Sequence, residues 1–319
     1  LGNAWHCYRG ATNVYRLPRS AEGVMMKDFF IARAYFIGWS FIRRIPEKYA
    51  ASLFDSIARW MFKKNGKSVK RLRSNLNRVQ PGLDASQLDA LVFDGLKSYM
   101  RYWRETFRSP DWSKERILST VTVTNEHLLL EPIKKKTGVM VCLPHAGNWD
   151  HAGSYFCAKG AELVTVAEVL KPRVLFEKFL AYRQAIGMEV LPLDSRAFPT
   201  LLQRARDGKL IALVADRDLS ASGIDVNFFD GPARMPAGPA IVAIRTGIPL
   251  ISAFVSYTET GIHIDLRQIE IPETSDEEQR IKATVQLCAD SFAAGIATHP
   301  QDWHMLQRIW IDGDFVERR

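Results

Sequence analysis

The segment VCLPHAGNWDHAG, residues 141–153, carries His145 and Asp150 five positions apart, directly behind an apolar run and with Gly147 between them. An imidazole of pKa about 6.5 is mostly neutral at neutral pH and can take the proton of an alcohol as that oxygen attacks. On one regular helix, residues i and i+5 point about 140° apart, so this pair could act together only across a bend. Gly147 offers one. With a loop at Ala146 and Gly147, the ring would fold back over a helix starting near Asn148, where Asp150 would accept from Nδ1 and leave Nε2 as the base. A helix N-terminus also favours an ionised carboxylate. The same residues fit a plainer arrangement, in which His145 ends a strand on a backbone carbonyl and Asp150 is a cap. His151 lies nearby, but no further His, Cys or acid stands at ligand spacing, so no metal is expected.

The surrounding pattern says how such residues would be placed. From 111 onward, short β-rich runs alternate with helical ones. Strands are expected at 120–125, 138–144, 162–168, 189–193, 209–216, 249–257 and 262–271, with helices at 149–159, 173–186, 198–207, 238–246 and 276–298 between them. The continuous apolar centres of the 138, 209 and 249 runs predict strands buried on both faces. The expected fold class is therefore α/β, a mostly parallel central sheet flanked by helices, with an N-terminal helical segment. Sites in such sheets gather at the carboxyl ends of the strands, where His145 and Asp216 both fall.

Residues 1–24 lack helical periodicity and an apolar signal region and are expected to lie outside the core. Residues 25–319 read as a single domain, helical over 25–110 and α/β over 111–319. The stretch 29–42 is apolar except for Arg33 and ends in Arg43 and Arg44. As a helix it would be roughly 21 Å long, short of the ~30 Å hydrocarbon core, so it would pack on the domain or lie in a membrane interface with both arginines at lipid phosphates. The run KKNGKSVKRLRSNLNRV, 63–79, reads as solvated basic surface, or as a second attraction to anionic lipid.

The chain has 319 residues and a formal net charge of +8. That excess suits nucleic acid, an anionic membrane surface or phosphorylated substrates. No helix-turn-helix, zinc-finger or RNP pattern accompanies it, so nucleic acid is not expected as a partner. The four cysteines include no CxxC pair, which argues against a zinc site or a disulfide framework. A GxSxG elbow is absent, and Cys142 sits inside an apolar strand, so no acyl-enzyme is expected. Arg217 and Arg234 are candidate phosphate partners, since guanidinium binds phosphate through paired N–H groups. In DWHMLQRIW, Trp303 reads as core and His304 as a buried structural histidine.

LPHAGNWDHAG resembles the HX4D segment of the glycerolipid acyltransferase superfamily, in its lipid A lauroyl acyltransferase branch. YMRYWRETFRSP (99–110), TVAEVLKP (165–172), AYRQAIGMEVLPL (181–193), LVADRDLSASGIDVNFFDGPARMPAGPA (213–240) and IATHPQDWHMLQRIWIDG (296–313) are together similar to the phosphatidylinositol mannoside acyltransferases, over roughly residues 26–313. The resemblance implies transfer of a long acyl group from acyl-CoA, palmitoyl-CoA foremost, to a mannose hydroxyl of a phosphatidylinositol mannoside. It implies no other cofactor and a peripheral or monotopic position on the cytoplasmic face of the plasma membrane. His145 is the implied general base and Asp150 the HX4D acid. Asp216 stands where the family usually has the glutamate that partners the histidine, so either Asp216 or Asp150 would hold the ring. Glu168 and Arg183 match implied substrate contacts, and Val169 stands where the family often has arginine. The rival expectations are a lipid A-type sugar as acceptor, an acyl-CoA thioesterase, and a non-enzymatic peripheral protein on the same scaffold.

Overall fold

The computed structural model describes residues 33, 37–167, 177, 180, 181, 183–218, 220 and 222–312. Three helices form the N-terminal part: α1 (Glu47–Lys64), α2 (Lys67–Val79) and α3 (Ala85–Arg108). Each is set by its apolar stripe and its ends. In α1, Ala50, Phe54 and Ala58 recur every four residues and face inward, and the helix stops where Asn65 turns left-handed and donates back to Met61 and Phe62. In α3, Asp84 and Gln87 form a capping box. The stripes meet in a core of Phe54, Leu72, Leu76, Val92 and Leu96, joined by Leu306 from the C-terminal segment.

Ahead of α1, the helical stretch 37–44 splits its apolar residues between two sides. Trp39 and Ile42 are buried, with Trp39 Nε1 donating to the Phe107 carbonyl at 2.9 Å. Ile37 and Phe41 face outward. Arg43, expected at lipid phosphate, instead forms a two-pronged pair with Asp111, Nε to Oδ2 at 2.7 Å. Arg44 donates to the Ser40 carbonyl. The leader 1–24, residues 29–32 and 34–36 of the apolar stretch and most of the helix expected at 173–186 lie outside the described residues.

After α4 (Lys114–Ser119) the chain builds a seven-stranded sheet in the order β1-β9-β8-β2-β5-β3-β4, from β1 (Val121–Thr124), β2 (Val139–Leu143), β3 (Leu163–Ala167), β4 (Met188–Pro192), β5 (Leu210–Val214), β8 (Leu250–Tyr257) and β9 (Ile262–Ile269). All neighbouring pairs are parallel except β8 with β9, which turns the β9 and β1 edge against the rest. Helices α5 (His127–Lys135), α6 (Trp149–Ala158), α7 (Ala197–Arg206), α8 (Gly238–Thr246) and α9 (Glu277–Thr298) supply the layers. β2 is central and fully buried. Its alternate residues feed separate cores: Met140 and Cys142 face the α7, α8 and α9 side, while Val139, Val141 and Leu143 face the α6 side. A two-stranded hairpin, β6 (Ile224–Phe228) with β7 (Gly231–Met235), was not among the expected elements. In β6, Ile224, Val226 and Phe228 alternate with Asp225 and Asn227, a five-residue strand signal outside the expected set, and the hairpin closes over Trp303 and Trp310.

Candidate active site

β2 and β5 run parallel with Leu143 opposite Val214, and the ladder continues through a bond from the Ala215 N–H to the Leu143 carbonyl at 2.8 Å. His145 and Asp216 each lie two residues past that last pair. Register alone therefore sets them side by side at the carboxyl edge of the sheet. The contact is direct: His145 Nδ1 is 2.6 Å from Asp216 Oδ1, and the His145 backbone N–H donates to Oδ2 at 3.0 Å. Trp303 Nε1 donates to the same Oδ2 at 2.9 Å.

Asp216 has no solvent exposure, whereas the His145 side chain is 38% exposed. Burial by itself would raise the Asp216 carboxyl. The imidazole beside it, with the Trp303 indole N–H and the His145 backbone N–H, outweighs that and holds it below the ordinary carboxylate range. An ionised carboxylate facing Nδ1 makes Nδ1 the protonated nitrogen, which leaves the Nε2 lone pair as the basic atom of the ring. Trp149 meets the ring edge-on at 5.6 Å and is itself stacked on Tyr102 at 4.2 Å, so the imidazole plane is held on two sides.

The turn between histidine and helix is built against the C-terminal segment. Gly147 has φ +56°, and a Cβ there would come 2.5 Å from the Val255 carbonyl oxygen, so no other residue fits. Its N–H donates to the Asp302 carbonyl, and the His304 N–H donates to the His145 carbonyl at 2.7 Å. Asn148 caps α6 by accepting from the His151 N–H.

Asp150 does not hold the ring, which corrects the bent-dyad expectation. It sits buried in the first turn of α6, where it accepts from Tyr102 Oη at 3.0 Å and from Arg183 Nε at 2.9 Å. Its carboxylate is engaged by α3 and the Arg183 segment, and Asp216 already occupies the Nδ1 side. Asp150 thus ties α3, α6 and the Arg183 segment together. Asp150→Ala should cost about 1.5 to 3 kcal/mol of stability in denaturant unfolding, because it removes the carboxylate that accepts from Tyr102 and pairs with Arg183; an unchanged midpoint would contradict that role.

The other expected residues are dispersed. Arg217 follows Asp216 and is half-buried. Arg234 is spoken for within the hairpin, with Nε on Asp225 Oδ1 at 2.6 Å and Nη1 on the Ser220 carbonyl. Glu168 and Val169 lie outside the described residues. Among the described residues, no group of three or more His, Cys, Asp or Glu side chains could hold a metal ion. Trp149, Tyr102 and Trp303 were not singled out for the site. Trp303 stood inside the DWHMLQ block, but a buried tryptophan in an apolar run gives no sign that its N–H meets a carboxylate 87 positions away.

Two further histidines are buried and neutral. Burial pushes His304 down to about 3 and His151 down to about 4. Between pH 6.5 and those values the unfolded chain binds protons that the folded chain refuses, so their contribution is complete above about 6.5 and is lost on acidification. A His151→Gln variant should therefore flatten the fall of unfolding free energy from pH 6 to 4.5, by about 1 kcal/mol per pH unit relative to the parent. Parallel pH profiles would refute it.

A mostly parallel sheet thus carries a histidine and its carboxylate at adjacent strand ends. Residues 18–311 match the model of the bacterial lipid A biosynthesis acyltransferase family, and the chain belongs to that family. The protein is an acyltransferase. It is similar to the phosphatidylinositol mannoside acyltransferase of Mycolicibacterium smegmatis, 39% identical over 288 residues, which are 89% of this chain and 93% of the relative. It is also 37% identical over 308 residues to the protein of that name from Mycobacterium tuberculosis, covering 95% and 94% of the two chains. The match begins at residue 18, inside the 1–24 leader expected to lie outside the core.

Proposed function

We propose that this acyltransferase moves a long-chain fatty acyl group from acyl-CoA to a mannose hydroxyl of a phosphatidylinositol mannoside, with His145 as general base. The observation that carries the mechanism is the 2.6 Å contact of His145 Nδ1 with a buried Asp216, beside a partly exposed ring. Nε2 takes the hydroxyl proton as the oxygen attacks the thioester carbonyl, and Asp216 stabilises the imidazolium that forms. The tetrahedral intermediate collapses by breaking the C–S bond. The imidazolium returns its proton to the departing thiolate, giving ester and free CoA.

No acyl-enzyme is needed. Cys142, the thiol nearest in sequence, is fully buried 3.6 Å from the Cys288 sulfur, and that contact together with burial pushes it well above the ordinary thiol range. For the phosphates of both substrates we assign Arg217 foremost, and Glu168 and Arg183 remain substrate contacts implied by the resemblance. An anion at Arg234 would have to compete with Asp225. Mass spectrometry of products after offering palmitoyl-CoA with a panel of glycolipids tests the reading. Acylated phosphatidylinositol mannoside is expected. Free fatty acid alone would make the protein a thioesterase, and acylation only of a lipid A-type sugar would move the acceptor.

We place the protein on the cytoplasmic face of the plasma membrane. Among the described residues no helix is long and apolar enough to cross a membrane. Ile37 and Phe41, with Tyr49, Leu53 and Trp60 of α1, are exposed, and Lys48 and Lys64 lie over the Tyr49 and Trp60 rings. Aromatic side chains under a fringe of lysine suit the headgroup boundary of anionic lipid. A Phe41→Asp/Trp60→Asp variant should bind anionic vesicles about tenfold more weakly than the parent. Equal flotation of the two proteins would end the assignment.

A further inference from the structure

The basic run at 63–79 does more than solvate the surface. With the C-terminal segment it walls a cleft of about 540 Å³ that does not include His145. Lys67, Lys70, Arg71, Arg78 and Arg308 line it against a single carboxylate, Asp312. That carboxylate is taken by Arg78, Nη2 to Oδ2 at 2.7 Å. Among the described residues, Lys67, Lys70 and Arg71 form no ion pair.

The helix itself works against this placement. Residues 67, 70, 71, 74 and 78 fall on one face of α2, where like charges three and four apart repel. Three of the cations lie in the first turns, at the positive end of the helix dipole. No compensation is present: Gly66 is the N-cap, it provides no side-chain cap, and the first turn holds no acid. The amide groups of that turn therefore add to the positive field in the cleft.

The far wall is preformed. Asn75 is buried and donates from Nδ2 to the Met305 and Gln307 carbonyls at 2.7 and 2.9 Å, which fastens α2 to the segment that carries Arg308 and Trp310. The Arg78 guanidinium lies 4.6 Å from the Trp310 ring centre, and its Nη1 is buried with no partner among the described residues. Gly231 makes room for it, since a Cβ there would come within 2.4 Å of Nη1. The Arg78 guanidinium, the uncapped first turn of α2 and three cations that form no ion pair surround one cavity, a donor set that a phosphate group takes.

We propose that this cleft is a phosphate-binding site, separate from the reaction centre and taking the phosphate ester or diester of a small molecule or of a lipid headgroup. The claim does not depend on the acyl donor or acceptor assigned above.

Calorimetric titration of the full chain with inorganic pyrophosphate tests the soluble source, and flotation on phosphatidylcholine vesicles with and without phosphatidylinositol tests the lipid source. Each is run on the parent and on Lys70→Glu/Arg71→Glu, with Arg308→Gln as a second variant from the opposite wall. Lys114→Glu/Lys134→Glu, the same charge change on α4 and α5, is the control. The expected result is saturable binding in at least one arm, weakened about tenfold or more by the charge reversal, weakened by Arg308→Gln, and kept by the control. Pyrophosphate binding identifies a soluble phosphate ester, and a phosphatidylinositol-dependent gain in flotation identifies a headgroup. Binding in neither arm, or an equal loss in the control, overturns the proposal.

Discussion

Replacing His145 with alanine is expected to lower acyl transfer by about 10³-fold or more while leaving a folded protein. The backbone links at this position, from its N–H to Asp216 and from the His304 N–H to its carbonyl, do not need the side chain. Asp216 keeps Trp303 as a donor in the variant. Circular dichroism and unfolding should accordingly stay near the parent while product formation collapses. A variant that transfers acyl groups at a rate within tenfold of the parent would show that Nε2 is not the base.

Asp216→Asn should be almost as damaging, with kcat reduced about 10³ to 10⁴-fold and KM little changed. The amide can still accept from Trp303 Nε1 through its oxygen, so the packing around it is preserved. Its NH2 would then face His145 Nδ1, which becomes an acceptor and drives the ring proton to Nε2. The imidazole would be in place and in the wrong tautomer. Asp216→Ala, in contrast, removes a fully buried acceptor and should cost stability as well as rate. If Asp216→Asn matched the parent in kcat, the carboxylate would be a structural anchor for Trp303 and the turn alone. The Asp150→Ala variant supplies the contrast, because its main effect is expected in unfolding.

Much of this architecture was legible from periodicity. The apolar centres at 139–143, 210–214 and 250–257 are continuous because both faces of those strands are covered, and each emerged as a strand within a residue or two of expectation. The helices at 149–158, 197–206, 238–246 and 277–298 were equally visible, with Asn148 and Asp276 as their side-chain caps where a cap is present. The β6–β7 hairpin was not among them: IDVNF alternates over only five residues, and its partner GPARM opens on Gly231 and Pro232, which read as a turn. The antiparallel return of β9 on β8 is dictated by its connection, since residues 258–261 are too few for the crossover that a parallel pair needs.

The site divides in the same way. Local sequence determined that His145 leaves a buried strand, that Gly147 turns the chain, and that α6 begins at once. Each depends on residues within a few positions: a strand run, a glycine tolerated at φ +56°, and an asparagine cap. Which acid would hold the imidazole was undetermined at that level. Asp150 was five residues away and Asp216 seventy-one, and chain proximity favoured the nearer. Tertiary structure decided for Asp216 because the parallel register of β2 and β5 brings their two ends level, and it turned Asp150 inward to Tyr102 and Arg183. Spacing along a chain constrains partners only within one element, while partners on different strands are chosen by register, which comes from the packing of the whole sheet.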